Sequence, residues 1–266
     1  MTLMKEIQSH QVTLGSVGVW WLGQASFILK TSQGTTVAVD PYLTNSCERG
    51  AREAGFNCSR TFLPLIQPED LAVDVIALTH SHQDHCDPET ITRNRKSGFR
   101  GPYIAPGETM EKLLQLGVEM HEIVLSWPNK EHRFDDVRLK STLAIPPAGD
   151  DLTHTGYLFL VDSGPTIYFT GDTDYHDVLE YIAAYKPDVM LTVINGAFRN
   201  LGPNEAAKLT QKLNPKVVIP CHYDLFPDNS LNPRLFRSCL HYAGISNKYL
   251  ELEHGKAFFF SAAESE

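Results

Sequence analysis

The sequence predicts an α/β protein in which two β-sheets pack face to face with helices outside, an αββα four-layer sandwich. Three observations lead there. The apolar runs are short, β-branched and bounded by Gly, Pro, Asn or Asp, which marks strands rather than helices. Strands dominate each half, and helical segments fall between the later ones. The 266 residues, 42% hydrophobic and 21% charged, can bury a large core without disulfides or a structural metal.

Taken in order, strands are expected at 19–22, 26–31 and 35–40, with Ser32-Gln33-Gly34 closing a hairpin between the last two. Residues 42–72 break the pattern. They carry Tyr42, Asn45, Arg49, Arg52, Arg60, Pro64 and Pro68 and read as a long irregular insertion, a feature that in a compact domain usually has a function. A buried strand at 73–79 runs into His80-Ser81-His82-Gln83-Asp84-His85. Asp87 then serves as N-cap of a helix with Pro88 in its first turn. A helix at 107–117 ends on Gly117, and strands return at 122–125, 138–145, 156–162 and 166–170. Helix 175–185, strand 188–193, helix 203–213 opening at Gly202-Pro203, strand 216–220 and helix 233–243 complete the reading.

Lys plus Arg number 23 and Asp plus Glu 32, a formal net charge of −9. That balance argues against a nucleic-acid partner, which calls for a basic face, but leaves room for a small basic pocket. The five cysteines, Cys47, Cys58, Cys86, Cys221 and Cys239, are odd in number and form no CxxC pair, so reduced thiols in a cytoplasmic protein are expected. The N-terminus has no apolar signal segment, and no apolar run approaches a membrane span. An oligomer is compatible with all of this.

The chemistry concentrates at His80-x-His82-x-Asp84-His85. Three imidazoles and a carboxylate offer the N and O donors that Zn, Mn or Fe take. On an extended strand His80 and His82 share a face, and a turn after His82 lets Asp84 and His85 face a second ion; such pairs lie about 3.5–4 Å apart. Asp172, after strand 166–170, and His222, after strand 216–220, stand at further strand ends, where sheet enzymes gather ligands.

The motifs HSHQDH at 80–85, GDT at 171–173 and the late His222 resemble the metallo-β-lactamase superfamily. More narrowly, WLGQASFIL at 21–29, DPYLTNS at 40–46 and IPCHYDLF at 219–226 resemble the ascorbate-6-phosphate lactonase group and its neighbours, among them N-acyl phospholipase D-like proteins. The resemblance implies a metallo-β-lactamase fold of two pseudo-symmetric halves over a single domain, 1–266, with two divalent metal ions, Zn or Mn, at the sheet edge. By motif, His80 and His82 go to the first metal, Asp84 and His85 to the second, Asp172 bridges them, and His222 completes the second site. Most members place a third ligand of the first metal in a His before a Gly-Tyr strand. Here the segment reads PPAGDDLTHTGY at 146–157, and Asp150 is taken as that ligand. His154, unusually close to Gly156, is then a proton-transfer or substrate residue; the opposite assignment would restore the commoner histidine pattern.

The remaining expectations concern the surroundings. Asp40 suits a hydrogen bond that orients a ligand imidazole. Gln24, Tyr42, Asn45 and Asn195 are expected to line the substrate cleft, with Arg199 near it. Arg52 and Arg60, with Arg49, are candidates for gripping a substrate phosphate through a guanidinium fork. Cys86 and Cys221 read as small packed hydrophobes. A metal lowers the pKa of bound water from about 15.7 to near 7, and Asp84 would orient that nucleophile and shuttle its proton. The expected activity is a metal-dependent hydrolase, a lactonase acting on a sugar-acid lactone. The alternatives are a phosphodiesterase of the phospholipase D-like or nuclease type, and a non-hydrolytic metal-binding or redox protein.

Overall fold

The computed structural model describes residues 2–146 and 152–262. The first sheet takes β1 (Ser16–Gly23), β2 (Ser26–Thr31), β3 (Thr36–Val39), β4 (Val75–Ala77), β5 (Tyr103–Ala105) and β6 (Ile123–Leu125). The second takes β7 (Glu131–Phe134), β8 (Val137–Leu143), β9 (Thr155–Val161), β10 (Thr166–Phe169), β11 (Val189–Val193) and β12 (Val217–Cys221). β13 (Ala257–Ser261) returns to the first, giving the orders β13-β1-β2-β3-β4-β5-β6 and β12-β11-β10-β9-β8-β7.

Side-chain alternation along the strands builds the layers. In β1, Val17, Val19 and Trp21 join the core shared by the two sheets, while Trp20 and Leu22 face a second cluster with Met4, Ile7, Ile91 and Leu113. Those four belong to helices α1 (Leu3–Ser9), α3 (Pro88–Lys96) and α4 (Gly107–Gln115), which cover that sheet; α2 (Cys47–Glu53) lies in the insertion. Leu209 and Leu213 of α5 (Pro203–Leu213) and Phe236 and Leu240 of α6 (Pro233–Tyr242) join the central core from the other side. The two face-to-face sheets with helices outside that the sequence predicts are present. Among the described residues, no helix is long and apolar enough to cross a membrane.

Several elements differ from expectation for physical reasons. The insertion at 42–72 is not wholly irregular: it holds α2 and a 3-10 turn at Pro68–Asp70. α2 buries none of its residues, so it has no apolar stripe to announce it. Residues 177–185 wind as 3-10 rather than α-helix, capped by His176, whose Nδ1 accepts from the Val178 N–H at 3.0 Å. β7 is an edge strand whose first three residues are polar, and β5 has only three residues.

The topology decides where function sits. β3 to β6 run parallel, as do β10 to β12, so their C-terminal ends collect at one edge of each sheet. β9 is antiparallel to β10, which brings the start of β9 to the edge where β10 ends. The same logic brings the β1–β2 turn, with Gln24, to the end of β3. Gly156 permits close approach there: a Cβ on it would lie 2.6 Å from both the Phe169 and Thr170 carbonyl oxygens.

Candidate metal centre

Three groups of side chains gather at this edge with their ligand atoms within 4.8 Å of one another: His80, His82 and His154; His80, His85 and Asp172; and Asp84, His85 and His222. The groups overlap, so they form one continuous cluster. His80, His82, Asp84 and His85 come from the turn after β4, His154 from the start of β9, Asp172 from the end of β10 and His222 from the end of β12. Cross-sheet hydrogen bonds set the approach. The Thr155 N–H donates to the Thr79 carbonyl at 3.0 Å, and the Tyr157 hydroxyl to the Leu78 carbonyl at 2.6 Å. They bring His154 onto His80, ring centroids 3.9 Å apart.

Neighbouring groups orient the ligand rings. His85 Nδ1 donates to Asp40 Oδ2 at 2.7 Å, which turns Nε2 towards the cluster. Asp40 is itself held by the Thr79 N–H at 2.8 Å and the Thr79 hydroxyl at 2.6 Å. His154 Nδ1 faces the Asp172 carbonyl at 3.2 Å, a contact that protonates Nδ1 and leaves the lone pair on Nε2. Asp172 Oδ2 accepts from Asn200 Nδ2 at 2.6 Å, and Asp84 Oδ2 accepts from Gln24 Nε2 at 3.0 Å. Gln24, Asp40 and His222 all have positive φ, at 51°, 42° and 62°. Such backbone strain at non-glycine residues gathers where a site is held in shape by its surroundings.

The charges are those of a cation site. Burial, then the neighbouring imidazoles of His85, His154, His82 and His222, hold His80 well below the usual histidine range. Burial also opposes charge on His85, but Asp172, Asp84 and Asp40 outweigh it and hold that ring well above the range. Burial likewise works against Asp84 and Asp172, yet the adjacent imidazoles keep both well below the usual carboxylate range. His80 Nε2, His85 Nε2 and Asp172 Oδ1 are buried and make no hydrogen bond among the described residues. Three buried polar atoms left without hydrogen bonds in a cluster of N and O donors fit metal ions, which would satisfy them.

The other expected site residues are distributed unevenly. Asp150 lies outside the described residues. Gln24 touches the cluster. Tyr42 is fully buried, its hydroxyl accepting from the Cys47 N–H at 3.2 Å. Asn45 pairs through its amide with Glu48 and accepts from the Arg60 N–H at 3.2 Å. Arg60 donates to the carbonyls of Phe62, Tyr42 and Thr44 at 3.0–3.3 Å, and its guanidinium sits over the Tyr42 and Phe62 rings. Arg52 pairs with Glu48 and Arg49 with Glu53 on the exposed face of α2. Asn195 is buried and donates to Asn229 Oδ1 at 2.8 Å, which places it one residue back from the cleft. Arg199 pairs with Asp174 at 2.7 Å. Cys86 and Cys221 are packed in the core clusters.

A cleft of about 340 Å³ opens over the cluster, reaching His82, Asp84, Asp172 and His222. Two of its wall residues, Cys47 and Cys58, were not anticipated as site residues; burial, then the charge of Asp84, pushes both thiols up. Asn200 was also missed. It acts across space from a turn that carries no motif.

The fold and this cluster define a metal-dependent hydrolase of the metallo-β-lactamase superfamily. The Beta-lactamase superfamily domain matches residues 18–222, and the chain belongs, within it, to the UPF0173 metal-dependent hydrolase family. A member from Myxococcus xanthus is 31% identical over 81% of this chain and 73% of its own. One from Thermodesulfovibrio yellowstonii is 29% identical over 92% of each. Among solved structures, a metallo hydrolase from the archaeon Ignicoccus hospitalis superposes with a TM-score of 0.72 at 25% identity, over 92% of this chain and 99% of its own.

Proposed function

We propose that the protein hydrolyses a carboxylic ester of the lactone type at a two-metal centre. The overlap of the three ligand groups carries this reading: seven side chains share one edge, with Asp172 in the middle. Asp172 shares one group with His80, assigned to the first ion, and His85, assigned to the second, which is the position a bridging carboxylate needs. His80, His82 and His154 would hold one ion, and Asp84, His85 and His222 the other. In this assignment His154 replaces Asp150 as third ligand of the first metal. A first site of three imidazoles sharing one carboxylate favours Zn over Mn.

Two cations held there supply an acidified water and Lewis acidity for the carbonyl oxygen. Asp84 accepts the water's proton and passes it to the leaving alkoxide, with Gln24 fixing its Oδ2. The lactonase-like motifs at 21–29, 40–46 and 219–226 support ring opening of a lactone.

The test is turnover by zinc- and manganese-reconstituted protein of a panel of lactones beside bis(4-nitrophenyl) phosphate. Lactones should lead in kcat/KM by about a hundredfold or more, that is about 2.7 kcal/mol or more of preferential transition-state binding. A lead for the phosphodiester would overturn the reading.

A further inference from the structure

We propose that the cleft selects a lactone or ester bearing an uncharged aryl group rather than a phosphorylated one, and that Phe198 is the residue that determines this. The proposal rests on the hydrolase reading above and refines it. Away from the metal ligands, the cleft wall is formed largely by Cys47, Ala51, Cys58, Phe198 and Phe226. No Lys or Arg among the described residues lines it, and the segment 147–151 contains neither. The arginines of the insertion stand outside that wall, Arg60 donating to backbone carbonyls and Arg49 and Arg52 pairing with glutamates on the exposed α2. A phosphate tail in this volume would meet sulfur, hydrocarbon and the neutral amides of Gln83 and Asn229, with no cationic side chain to offset the loss of its water.

Phe198 shows a second sign of purpose. It sits in the 3-10 turn Ala197–Arg199 with φ 54° and ψ 26°, a left-handed conformation that is costly for a bulky aromatic residue. The residue stays 53% exposed, so the turn, in which Gly196 and Arg199 also have positive φ, presents Phe198 outward rather than into the core. It lies 5.7 Å from Phe56, centroid to centroid, at 61°, and Phe56 is itself 44% exposed. The pair links the insertion to the loop after β11 beside the metal ligands. An aryl substituent placed against Phe198 and Phe226 would gain edge-to-face contacts and leave water.

The test is calorimetric titration of zinc-loaded protein with 4-hydroxy-4-phenylbutyrate and with 6-phosphogluconate, the ring-opened acids of an aryl and a phosphorylated lactone. The aryl acid should bind about tenfold more tightly or better. Phe198→Gly keeps the left-handed backbone available and removes the ring. It should weaken the aryl acid by about tenfold and leave 6-phosphogluconate unchanged. Phe56→Ala should act in the same direction, and melting curves check that both variants fold. Tighter binding of 6-phosphogluconate, equal loss of both acids in Phe198→Gly, or binding of neither acid overturns the proposal. Turnover of the two parent lactones separates this proposal from the one it rests on. Aryl-selective binding without hydrolysis of either lactone defeats the lactonase reading alone, whereas hydrolysis of both at equal kcat/KM defeats the aryl selectivity alone.

Discussion

Asn200 donates from Nδ2 to Asp172 Oδ2 across 2.6 Å in a buried setting and so fixes the orientation of the central carboxylate. Groups that orient a metal ligand typically contribute about 10–100-fold to metal affinity. Asn200→Ala should therefore weaken metal binding by about that factor while the far-ultraviolet circular dichroism stays unchanged. Competition with a chromophoric chelator measures it, and unchanged affinity would show that Asp172 is held by its other neighbours. At this scale, legibility follows covalent proximity. His80, His82, Asp84 and His85 stand out in the sequence because four candidate ligands fall within six positions. Asp172 and His222 are readable because each ends a strand. Asn200 and Phe198 are not, since their roles arise from a strained turn that only the folded chain presents.

Among the elements, β9 depends on a residue with no side chain. Gly156 lies against the Phe169 and Thr170 carbonyls so closely that an added Cβ would meet both at 2.6 Å and Thr142 Oγ1 at 2.7 Å. Gly156→Ala must push β9 away from β10, at a cost of about 1–3 kcal/mol for overpacking a tight core. The expected outcome is a lower urea midpoint with an unchanged slope, together with weaker metal binding, because His154 sits at the start of the displaced strand. A wild-type midpoint would mean that the neighbouring carbonyls yield. Elements with strong local chemistry are legible in advance: α5 opens at Gly202-Pro203 and shows a helical stripe, and α3 begins at the Asp87 cap, whose carboxylate accepts from the Glu89 N–H at 3.1 Å. α2, β5 and β7 are not legible, being respectively all exposed or half-exposed, three residues long, and largely polar.

Across the whole molecule, the cluster draws His80, His82, Asp84 and His85 from the first sheet and His154, Asp172 and His222 from the second. Metal ions at such a junction would clamp the sheets together and bind the native state alone. Removing them with a chelator should lower the melting temperature by roughly 5–10 °C, given about 2.7 kcal/mol of linkage at a hundredfold excess over Kd. Readdition of zinc should restore it. No change on chelation would place any bound metal outside the structural junction. The two-sheet architecture was legible from the order of strands and helices, but the return of β13 to the edge of β1 was not, because pairing across more than two hundred residues leaves no local mark. The antiparallel placement of β9, which puts His154 against His80, likewise emerges only from the assembled sheet.

The measurement that bears most directly on the central claim is metal content per chain, after reconstitution and desalting, of the wild type, His154→Ala and Asp150→Ala. With His154 as a ligand, the wild type and Asp150→Ala should each retain about two equivalents and His154→Ala about one. Full retention by His154→Ala with loss in Asp150→Ala would contradict the histidine assignment, and a wild type that holds no metal would contradict the centre itself.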